Sequence, residues 1–336
     1  MTDSTPPSAT TIPQNSGPSR PDLSDDLPPV QPPSAGFIIQ LFVVPGLIVL
    51  AVVAVWALFG QIAAGEQDWH NLVEELQSPN SHIRKRAMYG LAQVLDQDRR
   101  RGEQGQQLAT NPQIATVLSD QLTRELKTGS NSDESISIQQ YLTRAIGLLD
   151  VPSVTLPALR VSLQPKLDLE IRKSGVASIA MIAGRHFEKG KPLDDSDTVD
   201  ALIELSADPA PLMRQTAAFA LGLFKSEKSD QQLHVLLENG DWKTCVNAAI
   251  ALARQGNQDG LMVFKRALTE KAPTKPEEQI EHFMVLTNSL KAIASLGSKM
   301  SDADKAEFRD LLKPLVSDHA EVRIRVDAQN ALLSLK

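Results

Sequence analysis

The chain has 336 residues and a formal net charge of −7; 42% of its residues are hydrophobic, 4% aromatic and 22% charged. Ala and Leu are plentiful after residue 60 while strand-like alternation is scarce, which favours an all-α protein over a sheet protein. Mild acidity without clustered Lys and Arg argues against a nucleic-acid interface, and the lone Cys245 excludes an intrachain disulfide.

Residues 1–35 are dominated by Pro, Ser, Thr and Asp and hold no aromatic residue. Such a segment buries too little apolar surface to offset its ordering entropy, so it is expected to be a disordered spacer. The run FIIQLFVVPGLIVLAVVAVWALF, Phe37 to Phe59, follows without a single charge. As a helix it reaches about 34 Å, against about 30 Å of bilayer hydrocarbon. The expectation is a transmembrane helix over 36–60, kinked at Pro45-Gly46, with Trp56 and Trp69 at the interface. The tail lacks the cationic start of a cleaved signal, so the anchor is expected to be retained. A linker, 61–67, comes next. The positive residues further on (Arg84, Lys85 and Arg86) favour a cytoplasmic side for the following domain. The corresponding localisation is a single-pass protein of the bacterial inner membrane.

From residue 68 to 336 the chain repeats. HIRKRAMYGLAQVL, EIRKSGVASIAMIAG, LMRQTAAFALGLF, TCVNAAIALARQG and RIRVDAQNALLSL share one pattern, with weaker copies at Tyr141–Leu149 and Val285–Ile293. A small residue marks each copy, at Ala87, Ala145, Gly175, Ala217, Ala248, Ser289 and Ala328. Intervals are mostly about 30 to 42 residues, the period of a helical-pair solenoid. With the small residue as zero, positions −4, 0, +3, +4 and +7 fall on one helical stripe. Small side chains at 0 and +3 allow close helix approach, and larger ones fill the space around them. Turn sequences rich in Pro, Asp, Asn and Gly precede most copies, and a first helix such as TVDALIELS or SDQQLHVLLE precedes each turn. About seven such pairs are expected. DQDRRRGEQGQQ (Asp96–Gln107), GSNSDES (Gly129–Ser135) and FEKGKPLDDSD (Phe187–Asp197) read as inserted loops.

A turn followed by an apolar-Arg-x-x-Ala-x-x-Ala-Leu helix, clearest at Asp208–Phe224, resembles the HEAT repeat, in particular the short bacterial form of phycobilisome-lyase-like proteins. The resemblance covers roughly 68–336. It implies an α-solenoid that serves mostly as an interaction scaffold; bilin lyase, or a lyase subunit, is the alternative it brings.

The Arg at −3 (Arg84, Arg172, Arg214, Arg325) flanks the core stripe. Bonding to the turns and to acids such as Asp168, Asp208 or Asp318 is favoured over an anion-binding ladder. Positions −2, −1 and +2 point away from the core and are expected to line one surface, the concave one. They include Lys85, Arg86, Tyr89, Arg144, Lys173, Gln215, Phe219, Asn247, Asn288, Lys291 and Asn330. This line is the candidate docking face for an acidic or amphipathic segment of a membrane-associated protein partner. Arg99–Gln104 is a second basic patch, read as a solvated loop. The six histidines are scattered without metal-ligand spacing, and GRHFEKGKP lacks the ending of a phosphate loop. No nucleophile elbow or Cys–His pair occurs. The expectation is a non-catalytic, membrane-tethered scaffold without cofactor or metal.

Overall fold

A computed structural model describes residues 36, 45–56, 68–128 and 132–336. The chain divides into two units, Met1–Gly65 and Glu66–Lys336. In the first, the described residues 45–56 are helical. No helix of the described residues is long and apolar enough to cross a membrane. This finding overturns the expected single-pass anchor, and the inner-membrane localisation and cytoplasmic assignment built on it fall as well. The remaining parts of the apolar run (37–44 and 57–59), the linker 61–67 and the tail 1–35 lie outside the described residues.

Among its described residues the second unit holds fourteen α-helices, which form seven successive pairs: α1 (Trp69–Glu75) with α2 (Ser81–Arg101), α3 (Pro112–Thr128) with α4 (Asp133–Gly147), α5 (Pro152–Val161) with α6 (Leu169–Glu188), α7 (Ser196–Leu205) with α8 (Pro211–Leu221), α9 (Glu227–Asn239) with α10 (Trp242–Gln255), α11 (Leu261–Thr269) with α12 (Pro276–Leu296), and α13 (Asp302–Asp318) with α14 (Val322–Ser334). No strand forms among the described residues; Leu193 and Phe224 make an isolated parallel bridge.

Local chemistry starts these helices where they start. The carboxylate of Asp68 accepts His70 N–H at 3.0 Å, and Asn80, Asp168, Asp195 and Asp241 cap α2, α6, α7 and α10 in the same manner. Each cap satisfies an N–H that the helix cannot bond internally. Pro152, Pro211 and Pro276 open α5, α8 and α12, where a missing N–H costs nothing. Gly256, at φ 88°, closes α10 in the left-handed region that favours glycine.

The second helices stack in series, α2 on α4 through to α12 on α14, and among the first helices α3 packs on α5, α5 on α7, α7 on α9 and α11 on α13. Every marker position is buried, with Ala87, Ala217, Ala248, Ser289 and Ala328 fully so. Close approach explains the small residues. A Cβ on Gly175 would come within 2.0 Å of Ser162 Oγ, and one on Gly222 within 2.4 Å of Ala251 Cβ. Ser178, at +3 of α6, sits against Gly147 and donates its hydroxyl to the Thr143 carbonyl at 2.9 Å. The core runs as one cluster from Leu72 to Leu252 and a second from Ala249 to Leu335, so α10 contributes to both.

Several sequence expectations are corrected by the structure. The stretch 96–107 is not a loop throughout, because α2 continues to Arg101 and short 3-10 turns cover 102–104 and 108–110. The reason is Asp98: its buried carboxylate accepts the N–H groups of Gln106 and Leu108 and folds the connection back on the helix. Similarly, α6 persists to Glu188 and α7 starts at Ser196, shortening the 187–197 loop, while Ser132 already caps α4. Trp69 is not an interfacial residue but packs partly buried against the first core cluster.

Candidate functional site

The repeated arginines are structural. Arg84 Nη1 donates to the carbonyls of Ser78 and Pro79, both at 2.9 Å. Arg214 Nη1 donates to Asp208 and Pro209, and Arg325 Nη1 to His319 and Ala320. Each guanidinium thus staples its own helix to the turn five and six residues earlier. Two also reach the next repeat: Arg214 pairs with Asp241, the cap of α10, at 2.8 Å, and Arg172 pairs with Asp208 in the α7–α8 turn. With their donors committed to turns, these side chains offer no anion ladder.

The predicted docking residues all lie on second helices, but their surroundings differ. Arg86 pairs with Glu75 at 2.6 Å, Lys85 with Glu134, and Lys173 with Glu170 at 2.8 Å, so much of the expected positive stripe is locally neutralised. Tyr89 is half exposed and packs edge-on against Tyr141, with ring centroids 4.5 Å apart. Asn247 donates to the Gln215 carbonyl at 3.2 Å, linking α10 to α8. Arg144 and Lys291 are exposed and form no ion pair with another described residue. The Arg99–Gln104 patch is likewise compensated in part, since Arg99 and Arg100 pair with Asp96 at 3.0 and 2.7 Å.

Phe219 is the predicted residue that the structure places in a hollow. About 770 Å³ opens between α2, α6, α8 and α10, with Val176, Ala180, Met181, Phe219 and Leu223 supplying apolar wall. Arg99, Arg185 and Arg254 line it too, against one acid, Glu188. The Arg254 guanidinium lies 4.8 Å from the centre of the Phe219 ring, a cation–π arrangement. Its Nη1 is buried beside Gly222 and has no hydrogen-bond partner. Burial lowers the Arg254 pKa below its ordinary value, and no carboxylate opposes that shift. Arg185 is also lowered, by burial first; the Asp150 charge works against the shift and Arg99 adds to it. Arg185 donates to the carbonyls of Gly147 and Leu149, but its buried Nε has no partner. The hollow is therefore an apolar surface beside under-compensated positive charge.

Sequence reasoning missed Met181, Arg185, Leu223 and Arg254, although the signal was present. At about 100° per residue, positions +6 and +10 fall on the same flank as −1 and +2. Carrying that register one turn further reaches Met181 and Arg185 on α6 and Arg254 on α10. Elsewhere, Cys245 donates to the Gly240 carbonyl at 3.1 Å, and burial pushes its thiol pKa up. Among the described residues, no group of three or more His, Cys, Asp or Glu is placed to hold a metal ion.

A family model for HEAT repeats matches residues 199–282, from α7 into α12. No curated protein sequence matches the chain. Among solved structures, the complex of CpcE and CpcF of phycocyanin lyase from Nostoc sp. PCC7120 is similar at 17% identity, over 79% of this chain and 93% of that chain, with a TM-score of 0.42. An engineered protein is similar at 22% identity, over 82% of this chain and 69% of that one, with a TM-score of 0.41. A designed armadillo repeat protein is similar at 17% identity, over 79% and 99%, with a TM-score of 0.35. At these TM-scores the likenesses assign no ligand or activity. The fold is an all-helical repeat solenoid with HEAT repeats over 199–282, an architecture suited to protein interaction.

Proposed function

We propose that this chain is a non-catalytic scaffold whose second-helix surface docks a protein partner. The observation that carries the reading is the hollow between α2, α6, α8 and α10, where Phe219 and Met181 stay about 40% exposed beside Arg254. Apolar side chains left open next to an under-compensated cation are what a partner's buried anchor residues require. A repeat stack also holds such a surface rigid, which reduces the ordering cost of binding.

A photo-crosslinking amino acid at position 219 tests the reading in the intact chain, with position 262 on the first-helix layer as control. Met262 is 71% exposed, so it reports non-specific encounter. A discrete adduct at 219 that is absent at 262 supports the scaffold reading; equal labelling at both positions refutes it. The lyase alternative is separated by mixing the protein with free bilin, where the scaffold reading predicts an unchanged pigment spectrum.

A further inference from the structure

We propose that the hollow recognises an acidic amphipathic peptide segment, one carboxylate facing Arg254 while an adjacent Leu, Phe or Met side chain lies on Met181, Phe219 and Leu223. The inference rests on the scaffold reading and specifies the chemistry of its partner.

Charge complementarity identifies the occupant. Three arginines line the hollow and only Glu188 opposes them there. Arg99 already has Asp96 at 3.0 Å, and Arg185 already donates both Nη groups to the Gly147 and Leu149 carbonyls, so Arg254 is the available cation of the three. Arg254 lines the hollow over the Phe219 ring and has no carboxylate partner among the described residues. A half-buried guanidinium in this state has given up hydration without gaining a counter-ion, and an incoming carboxylate restores the balance. A neutral apolar segment would bury the same charge further and leave it unpaired. A basic segment would add repulsion from Arg185 and Arg254. Only a segment carrying both acid and apolar side chains satisfies the cation and the wall together.

The geometry also fixes the order of the two groups. Arg254 stands over the Phe219 ring at 4.8 Å, so the anion site and the apolar site are neighbours. Adjacent or next-but-one residues of an extended peptide span that distance, with about 3.3 Å of rise per residue.

The test is selection of displayed random dodecapeptides on the full chain, followed by calorimetric titration of the enriched peptides. The proposal expects sequences that place Asp or Glu within two residues of Leu, Phe or Met. Replacing the peptide's acid by its amide should weaken binding roughly 10-fold to 100-fold, as loss of a charge-assisted hydrogen bond does. Arg254→Gln should weaken it comparably. Because Arg254 is half-buried, Met181→Glu serves as a second variant. It sits at an exposed position and puts a carboxylate on the same helix flank as Arg185, competing with the peptide's acid. Both variants should keep the wild-type helical circular dichroism spectrum. If peptides bind the hollow but tolerate amide replacement and Arg254→Gln within twofold, the acidic specificity is overturned while the scaffold reading stands. If no enriched peptide binds at the second-helix surface, both are overturned.

Discussion

Asp208 joins three elements, and its removal provides the sharpest stability test. It lies in the α7–α8 turn and pairs with Arg172 of α6, the two side chains being only 6% and 8% exposed. Its other oxygen accepts the Ala210 N–H at 2.8 Å, and its carbonyl accepts Arg214 Nη1 at 2.8 Å. Burial raises the Asp208 carboxyl pKa, but the hydrogen bonds from Arg172 and Ala210 outweigh it and hold the group below its ordinary value. Asp208→Asn keeps the shape and the acceptor for Ala210 while deleting the charge, leaving Arg172 buried and unpaired. Removing one partner of a buried pair costs about 3–5 kcal/mol. The expected result is a large fall in the urea midpoint, followed by far-ultraviolet circular dichroism, and partial recovery when Arg172→Met is added. The sign with pH follows from the depressed carboxyl. Its contribution is complete above the ordinary carboxylate range and is lost as pH falls through the folded value, so wild type and variant should converge in acid. A loss below 1 kcal/mol at neutral pH, or no recovery in the double variant, would refute the role assigned to this pair.

Three further outcomes follow from other sites. Gly222→Ala should destabilise by about 1–3 kcal/mol, since its Cβ would meet the Ala251 Cβ at 2.4 Å and overpack the α8–α10 seam; denaturant titration measures it, and pairing it with Ala251→Gly should relieve the loss. Asp98→Ala strips two N–H groups of their acceptor, at about 1–3 kcal/mol each where buried, and limited proteolysis should then cut within 102–107. His234 is raised above its ordinary value first by the Asp230 carbonyl and then by the Asp259 carboxylate. Its stabilisation is present below about pH 6.5 and declines as pH rises through the folded value. The effect should be small because the ring is partly exposed, and His234→Gln should flatten the midpoint as pH rises above about 6.5.

The repeat was legible in the sequence because packing dictates it directly. Ala87, Ala217, Ala248, Ser289 and Ala328 are small where helices touch, and a touching helix leaves no room for another choice. The turn arginines were legible for a related reason, because a guanidinium three residues before the small position reaches its own turn. The docking stripe was less legible, since its charge depends on partners distant in sequence: Glu75 for Arg86, Glu134 for Lys85. Sequence spacing gave no sign of these acids. The 96–107 stretch misled because its polar composition looks like loop, whereas one carboxylate, Asp98, organises it. The span failed differently. Hydropathy counts apolar residues over 37–59, whereas among the described residues no helix is long and apolar enough to cross a membrane.

The central claim is that a partner docks on the second-helix layer at the hollow. Hydrogen–deuterium exchange of the full chain, with and without a selected peptide or crosslink-identified partner, addresses it most directly. The account predicts slowed exchange concentrated in 176–188, 216–223 and the end of α10 near Arg254, with the first helices α7, α9 and α11 unchanged. Protection confined to those first helices, with the walls of the hollow exchanging as in the free protein, would contradict it.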